Sequence, residues 1–152
     1  PSFAELERTQ HVVRGVGVTV LGAADARLTL LAYSEPGTSH RLCVLPWLQT
    51  AVGNKPFHDV RVVCVDAPGH GEGDGGVEGA YPSLDTLAEQ VDLVVRELKL
   101  AAFVMLGCGP ASCNVLLRYG SRFAVRQYRL LGAILVNPNP RKASKSEWVN
   151  TR

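Results

Sequence analysis

At 152 residues the chain is the size of one domain and long enough to bury a real core. Hydrophobic residues make up 46% and charged residues 20%, a globular rather than disordered composition, and no apolar run approaches the roughly 20 residues of a membrane-spanning helix. Sixteen basic against 14 acidic residues leave a formal charge of +2, and the clearest basic cluster, PRKASKSEWVNTR at 140–152, is too short and mixed to argue for nucleic acid.

The N-terminal stretch PSFAELERTQ has neither the basic nor the apolar region of a secretory signal. An intracellular protein is expected, either cytoplasmic, a cytoskeletal assembly included, or inside an organelle such as the mitochondrion. Residues 1–10 and 141–152 read as tails of a single domain spanning 1–152. Further along, VVRGVGVTVLG (12–22) and RLTLLAYS (27–34) are β-rich and separated by AADA, which predicts a hairpin. The apolar runs RLCVL (41–45) and RVVCV (61–65) are each followed by turn residues and read as buried parallel strands.

DAPGHGEGDGGVEGAYP (66–82) is a glycine-rich loop. Ser83 then stands as an N-cap with Asp85 in the first turn, and Leu84, Leu87, Val91, Val94, Val95 and Leu98 recur at helical spacing, which makes their face a core face. A strand over AAFVML (101–106), a helix from Pro110, a second helical stretch around RFAVRQYRLL and a strand over GAILVN (132–137) complete the chain. Strands alternating with helices after an antiparallel pair predict an α/β domain with a mostly parallel, doubly wound sheet.

The element order, the VDAPGHGEG loop, YPSLDTLAEQV, the turn LGCGPAS and LVNPNP are similar to the N-terminal half of an α/β-hydrolase fold. More narrowly, VDAPGHGEG with YPSLDTLAE resembles the N-myc downstream-regulated (NDRG) family. The match covers about residues 11–150, and the family is regarded as non-enzymatic. The resemblance implies a three-layer sheet of which this sequence supplies the N-terminal half, without the cap and later strands.

In a working hydrolase the G-x-S-x-G turn presents the nucleophile, and the next backbone N–H helps bind the oxyanion. Aligned on that turn, Gly107, Cys108, Gly109, Pro110 and Ala111 put glycine at the nucleophile and proline, which has no N–H, at the donor. The second donor is expected in the loop LPWLQTAVGNKP, where Pro46 and Trp47 replace small residues. No histidine follows His70, so a triad in the usual chain order is not assembled from these residues.

Other groups offer weaker candidates for chemistry. Cys43, Cys64, Cys108 and Cys113 show no metal-ligand spacing and read as reduced thiols. Cys108 sits just before the turn's apex and is expected to point away from it, and Ser112 is expected to satisfy helix N–H groups. His70 with Glu72 and Asp74 offers only a weak metal site, because the surrounding glycines cost ordering entropy. GCGPAS is a degraded dinucleotide turn with Ser112 at the third glycine, and the next strand ends in Asn137 rather than an acid.

The expectation is therefore a pseudoenzyme with no cofactor and no metal, acting as a structural subunit of a larger protein assembly. Ending after GAILVN would leave an apolar edge strand, so Ile134 and Val136, together with Trp47 and Trp148, are candidate partner contacts. The alternatives are a small esterase or thioesterase using Cys108 or Ser112 with His58 or His70, and a binder of a small ligand in the old cleft.

Overall fold

The computed structural model of the chain describes residues 8–52, 59–70, 77, 79–124 and 129–139. Its strands are β1 (Arg8–Val13), β2 (Val16–Leu21), β3 (Leu28–Tyr33), β4 (Val60–Val65), β5 (Ala102–Cys108) and β6 (Arg129–Val136). They form one sheet in the order β1-β2-β4-β3-β5-β6. The pairs β3–β4, β3–β5 and β5–β6 are parallel, whereas β1–β2 and β2–β4 are antiparallel. Helix α1 (His40–Val52) covers one face, and α2 (Leu84–Glu97) and α3 (Pro110–Tyr119) cover the other. These are the three layers expected from the sequence.

The two faces bury separate cores because side chains alternate along each strand. Leu31, Tyr33, Val63, Val65, Phe103 and Met105 pack under α2 and α3, whereas Leu30, Ala32, Val62, Cys64 and Leu106 pack under Val44 and Leu48 of α1. Helix α2 forms where its periodicity predicts. Ser83 Oγ accepts the Thr86 N–H at 3.2 Å, and Leu87, Ala88, Val91, Val94 and Val95 are buried.

The predicted hairpin lies elsewhere. Arg14 and Gly15, at φ 49° and 84°, form a two-residue turn of the hand that suits twisted strands and join β1 to β2. Strand β2 then pairs with β4, from Val18↔Val65 to Leu21↔Val62. Strand β3 is buried towards its end and takes the centre of the sheet between β4 and β5.

RLCVL belongs to α1 rather than to a strand. Val44 and Leu48, four apart, supply its buried contacts. Pro46 lies inside the helix and leaves the carbonyl of Leu42, a residue 72% exposed, without its usual N–H donor. Strand β6 begins at Arg129 instead of 132, so the helical reading of RFAVRQYRLL fails at 129–131; Gly120–Ala124 form a π-helical turn, and residues 125–128 lie outside the described residues. Phe103 pairs with Leu130 and Val104 with Gly132, so Leu131 is an extra residue in a bulge. Strand β1 starts within the stretch expected to be a tail, and residues 141–152 lie outside the described residues.

Leu87→Ala, which empties a fully buried site under the sheet, is expected to lower unfolding free energy by about 2–5 kcal/mol. Leu42→Ala on the outer face of α1 should stay within about 0.5 kcal/mol of the parent. Urea unfolding of both variants checks the assignment of the two faces.

Candidate functional site

Strand β5 runs into α3 through one residue, Gly109, at φ 115° and ψ 164°. That backbone region is essentially open to glycine alone. Two residues earlier, a Cβ built on Gly107 would lie 3.1 Å from Cys113 Sγ and 3.2 Å from Ser112 Oγ, so the strand can approach the helix this closely only without a side chain. Pro110 fills the first position of α3, where a missing N–H costs nothing.

The first turn of α3 still has backbone donors to satisfy, and Gly109 offers no side chain for the task. The acceptor arrives from the loop after β3. Glu35 Oε1 accepts the Ala111 N–H at 3.1 Å and Oε2 accepts the Ser112 N–H at 2.8 Å. A carboxylate there also meets the positive end of the helix dipole. Its carbon Cδ would be 2.7 Å from a Cβ on Gly109, and Oε2 closer still.

Ser112 is fully buried, and its hydroxyl is committed. It donates to the Tyr33 carbonyl at 2.8 Å and accepts the Cys108 N–H at 3.0 Å, tying the end of β3 to the elbow. Cys108 is buried, and burial, reinforced by Cys43 and Cys113, pushes its thiol up to about 11. Burial raises the Cys113 thiol as well, and its S–H donates to the Gly107 and Val136 carbonyls at 3.5 and 3.6 Å. Neither is an activated thiolate at neutral pH. Asn114 Nδ2 donates to Pro110 O at 3.0 Å and Asn139 O at 2.8 Å, which holds the segment after β6 beside the elbow.

A second polar knot lies at the same edge of the sheet. Asp66, just past β4, accepts from Ser34 Oγ at 2.6 Å and from the His40 backbone N–H at 2.7 Å, and its other oxygen sits 2.7 Å from His40 Nδ1. All three residues are buried. The serine contacts the carboxylate rather than the imidazole, so the trio is not a nucleophile–base relay. It caps α1 and pins that helix to β3 and β4. Burial raises the Asp66 pKa, but the hydrogen bonds from His40 and Ser34 and the attraction of His40 outweigh it and hold the carboxyl below its ordinary value.

The residues expected from the sequence fall in several places. Gly107 and Cys108 end β5, Gly109 makes the turn, and Pro110 and Ala111 open α3. The loop after the third strand is 34–39, so Pro46 and Trp47 lie in α1 rather than in that loop. Trp47 and Val136 are partly buried against the α1-side core, Ile134 is 38% exposed, and Trp148 lies outside the described residues. His70 is exposed in its loop, with Nδ1 2.9 Å from Pro68 O and its ring edge-on to Tyr81. Glu72, Asp74 and His58 lie outside the described residues. Among the described residues, no three His, Cys, Asp or Glu side chains gather as a metal site, and no helix is long and apolar enough to cross a membrane. Sequence reading missed Glu35 and the Ser34–His40–Asp66 knot. Their only local signal is an acidic or polar residue directly after a buried strand.

A model of the Ndr family matches residues 7–152. The chain belongs to the Ndr family. Among curated relatives it is 32% identical to Protein NDRG1-A of Xenopus laevis over 145 residues, which is 90% of this chain and 34% of that protein. It is 28% identical to Protein NDRG2 of Bos taurus over 151 residues, 97% of this chain and 41% of the relative. The chain thus spans between a third and somewhat over two fifths of these Ndr-family proteins. The fold is shared with a proline iminopeptidase-related protein from Thermus thermophilus, at a TM-score of 0.63 and 23% identity over 88% of this chain and 45% of that one. The α/β-hydrolase architecture is established for the Ndr-family chain on these grounds.

Two measurements follow from the site. An ionised Asp66 stabilises the fold fully above the ordinary carboxyl range near pH 4, and the contribution is lost as pH falls through its depressed native pKa. Asp66→Asn should therefore lose about 1–3 kcal/mol at neutral pH and show a flatter acid limb, read from unfolding midpoints between roughly pH 2 and 7. Iodoacetamide at pH 7 should leave Cys108 and Cys113 unmodified in the native protein and alkylate both in denaturant, as mass spectrometry of the peptides would report.

Proposed function

We propose that this chain is a non-catalytic Ndr-family domain that serves as a structural subunit of a larger protein assembly, docking through the β6 edge of its sheet. The observation that carries the reading is the edge itself. Among the described residues β6 pairs only with β5, while Leu131 is 49% and Ile134 38% exposed. An apolar edge with unpaired backbone groups favours added polypeptide. Val136 belongs to the folded core more than to the docking surface, whereas Ile134 stands beside it in the open.

The absence of chemistry is supported from the other side. Gly109 has no nucleophilic atom, Pro110 has no N–H, and the family as a whole is regarded as non-enzymatic. The esterase alternative loses its nucleophiles, since Ser112 is buried in two hydrogen bonds and the Cys108 thiol is held protonated by burial. An intracellular setting accords with reduced cysteines, and protein rather than nucleic acid or membrane is the proposed partner.

The test is the native mass of the particle and its co-purifying proteins after gentle extraction, for the parent and for Ile134→Lys. A salt-resistant complex that the substitution releases, with the unfolding midpoint unchanged, supports the reading. A monomer that turns over an ester overturns it. A single longer polypeptide whose own residues cover β6 would move the docking surface off this edge and overturn it equally.

A further inference from the structure

We propose that Glu35 is a resident carboxylate that closes the elbow where a nucleophile's side chain would begin, and that Gly109 and Glu35 are a matched pair in which neither is replaceable independently. In an acyl-transfer site the apex of the elbow carries the nucleophile, and the N–H of the residue after it helps receive the negative oxygen of the reacting group. Here a carboxylate of the same chain takes two N–H groups at the start of α3, at 3.1 and 2.8 Å. Its carbon stands 2.7 Å from where a side chain at 109 would begin. Hydrogen bonding and steric contact are separate observations, and both place the same carboxylate on the same spot.

The carboxylate is not a floating side chain that happens to lie there. Two residues before it, the Tyr33 carbonyl accepts the buried Ser112 hydroxyl, which in turn accepts the Cys108 N–H. On the residue between them, Ser34 Oγ donates to Asp66. The base of the Glu35 loop is thus fixed to the elbow on one side and to β4 on the other. Small carboxylates and oxyanions are excluded from the elbow by a competitor at very high effective concentration. This holds whether or not the domain joins an assembly, because every group involved belongs to the one chain.

A double-mutant cycle on the intact chain tests it, using thermal unfolding of the parent, Glu35→Ala, Gly109→Ser and the double variant, in sodium acetate and in sodium chloride of equal ionic strength. Glu35→Ala should lower the midpoint by roughly 2–4 °C, the size of a lost helix cap in a domain of this length. Acetate should recover part of that loss and leave the parent unmoved. The drop caused by Gly109→Ser should be smaller in the Glu35→Ala background than in the parent, because the contact with the carboxylate is gone. Glu35→Gln, which keeps the bulk, should not relieve it. Glu35→Ser serves the same cycle if the alanine variant does not fold. Additive losses at 35 and 109 overturn the proposal, as does acetate acting alike on the parent and Glu35→Ala. Neither result depends on partner binding, so it is read separately from the fate of the subunit reading.

Discussion

Two helices begin at the carboxyl edge of the parallel strands, and the backbone N–H groups of their first turns need acceptors in a place water reaches poorly. The rest of the site follows from how that need is met. Helix α1 receives Asp66 from the end of β4, and α3 receives Glu35 from the loop after β3. Both caps are carboxylates, which suit the positive helix ends better than neutral acceptors do. Both come from strands far away in sequence, so each cap is also a clamp between layers. An α/β-hydrolase keeps the N–H that follows its nucleophile open for the reacting group. Here Pro110 stands at that position, and Glu35 takes the next two N–H groups.

Much of the fold is legible in the sequence because it rests on local patterning. Helix α2 has an N-cap, an acidic first turn and a sustained apolar face, and it forms within those bounds. The elbow is legible from two glycines and a proline between a strand and a helix. What fails is what depends on distant partners. RLCVL is short and apolar, a pattern shared by buried strands and helices, and the proline within α1 weighs against helix. The hairpin partner of β2 is decided by β4, which competes successfully with the neighbouring strand. Arg129 and Leu130 look helical because nothing before them announces a strand, and only pairing with β5 draws them into β6.

The candidate site divides along the same line. Gly109 and Pro110 stand in the sequence where a hydrolase elbow would carry its nucleophile and donor, but they say nothing of what lies beside them. Glu35 lies 76 residues from Ala111, and no local rule connects them. The Ser112 hydroxyl could have been a nucleophile by type and position, and only its two buried hydrogen bonds assign it to structure. Shared architecture with enzymes therefore carries no activity with it, since the same corner is chemically open or closed according to a few side chains around it.

The strand order has a consequence for how the polypeptide reaches this state. Strand β3 is the middle of the sheet, yet Leu30 pairs with Val62 on one side and with Val104 on the other. When the chain emerges from a ribosome, the central strand has its first neighbour long before its second. Until β5 is synthesised, the growing sheet keeps an open, apolar flank at its centre rather than at its rim. Pairings this distant are slow to close and leave aggregation-prone surface exposed while they wait. The folding of this domain is therefore governed by the arrival of the same β5 segment that ends in the elbow.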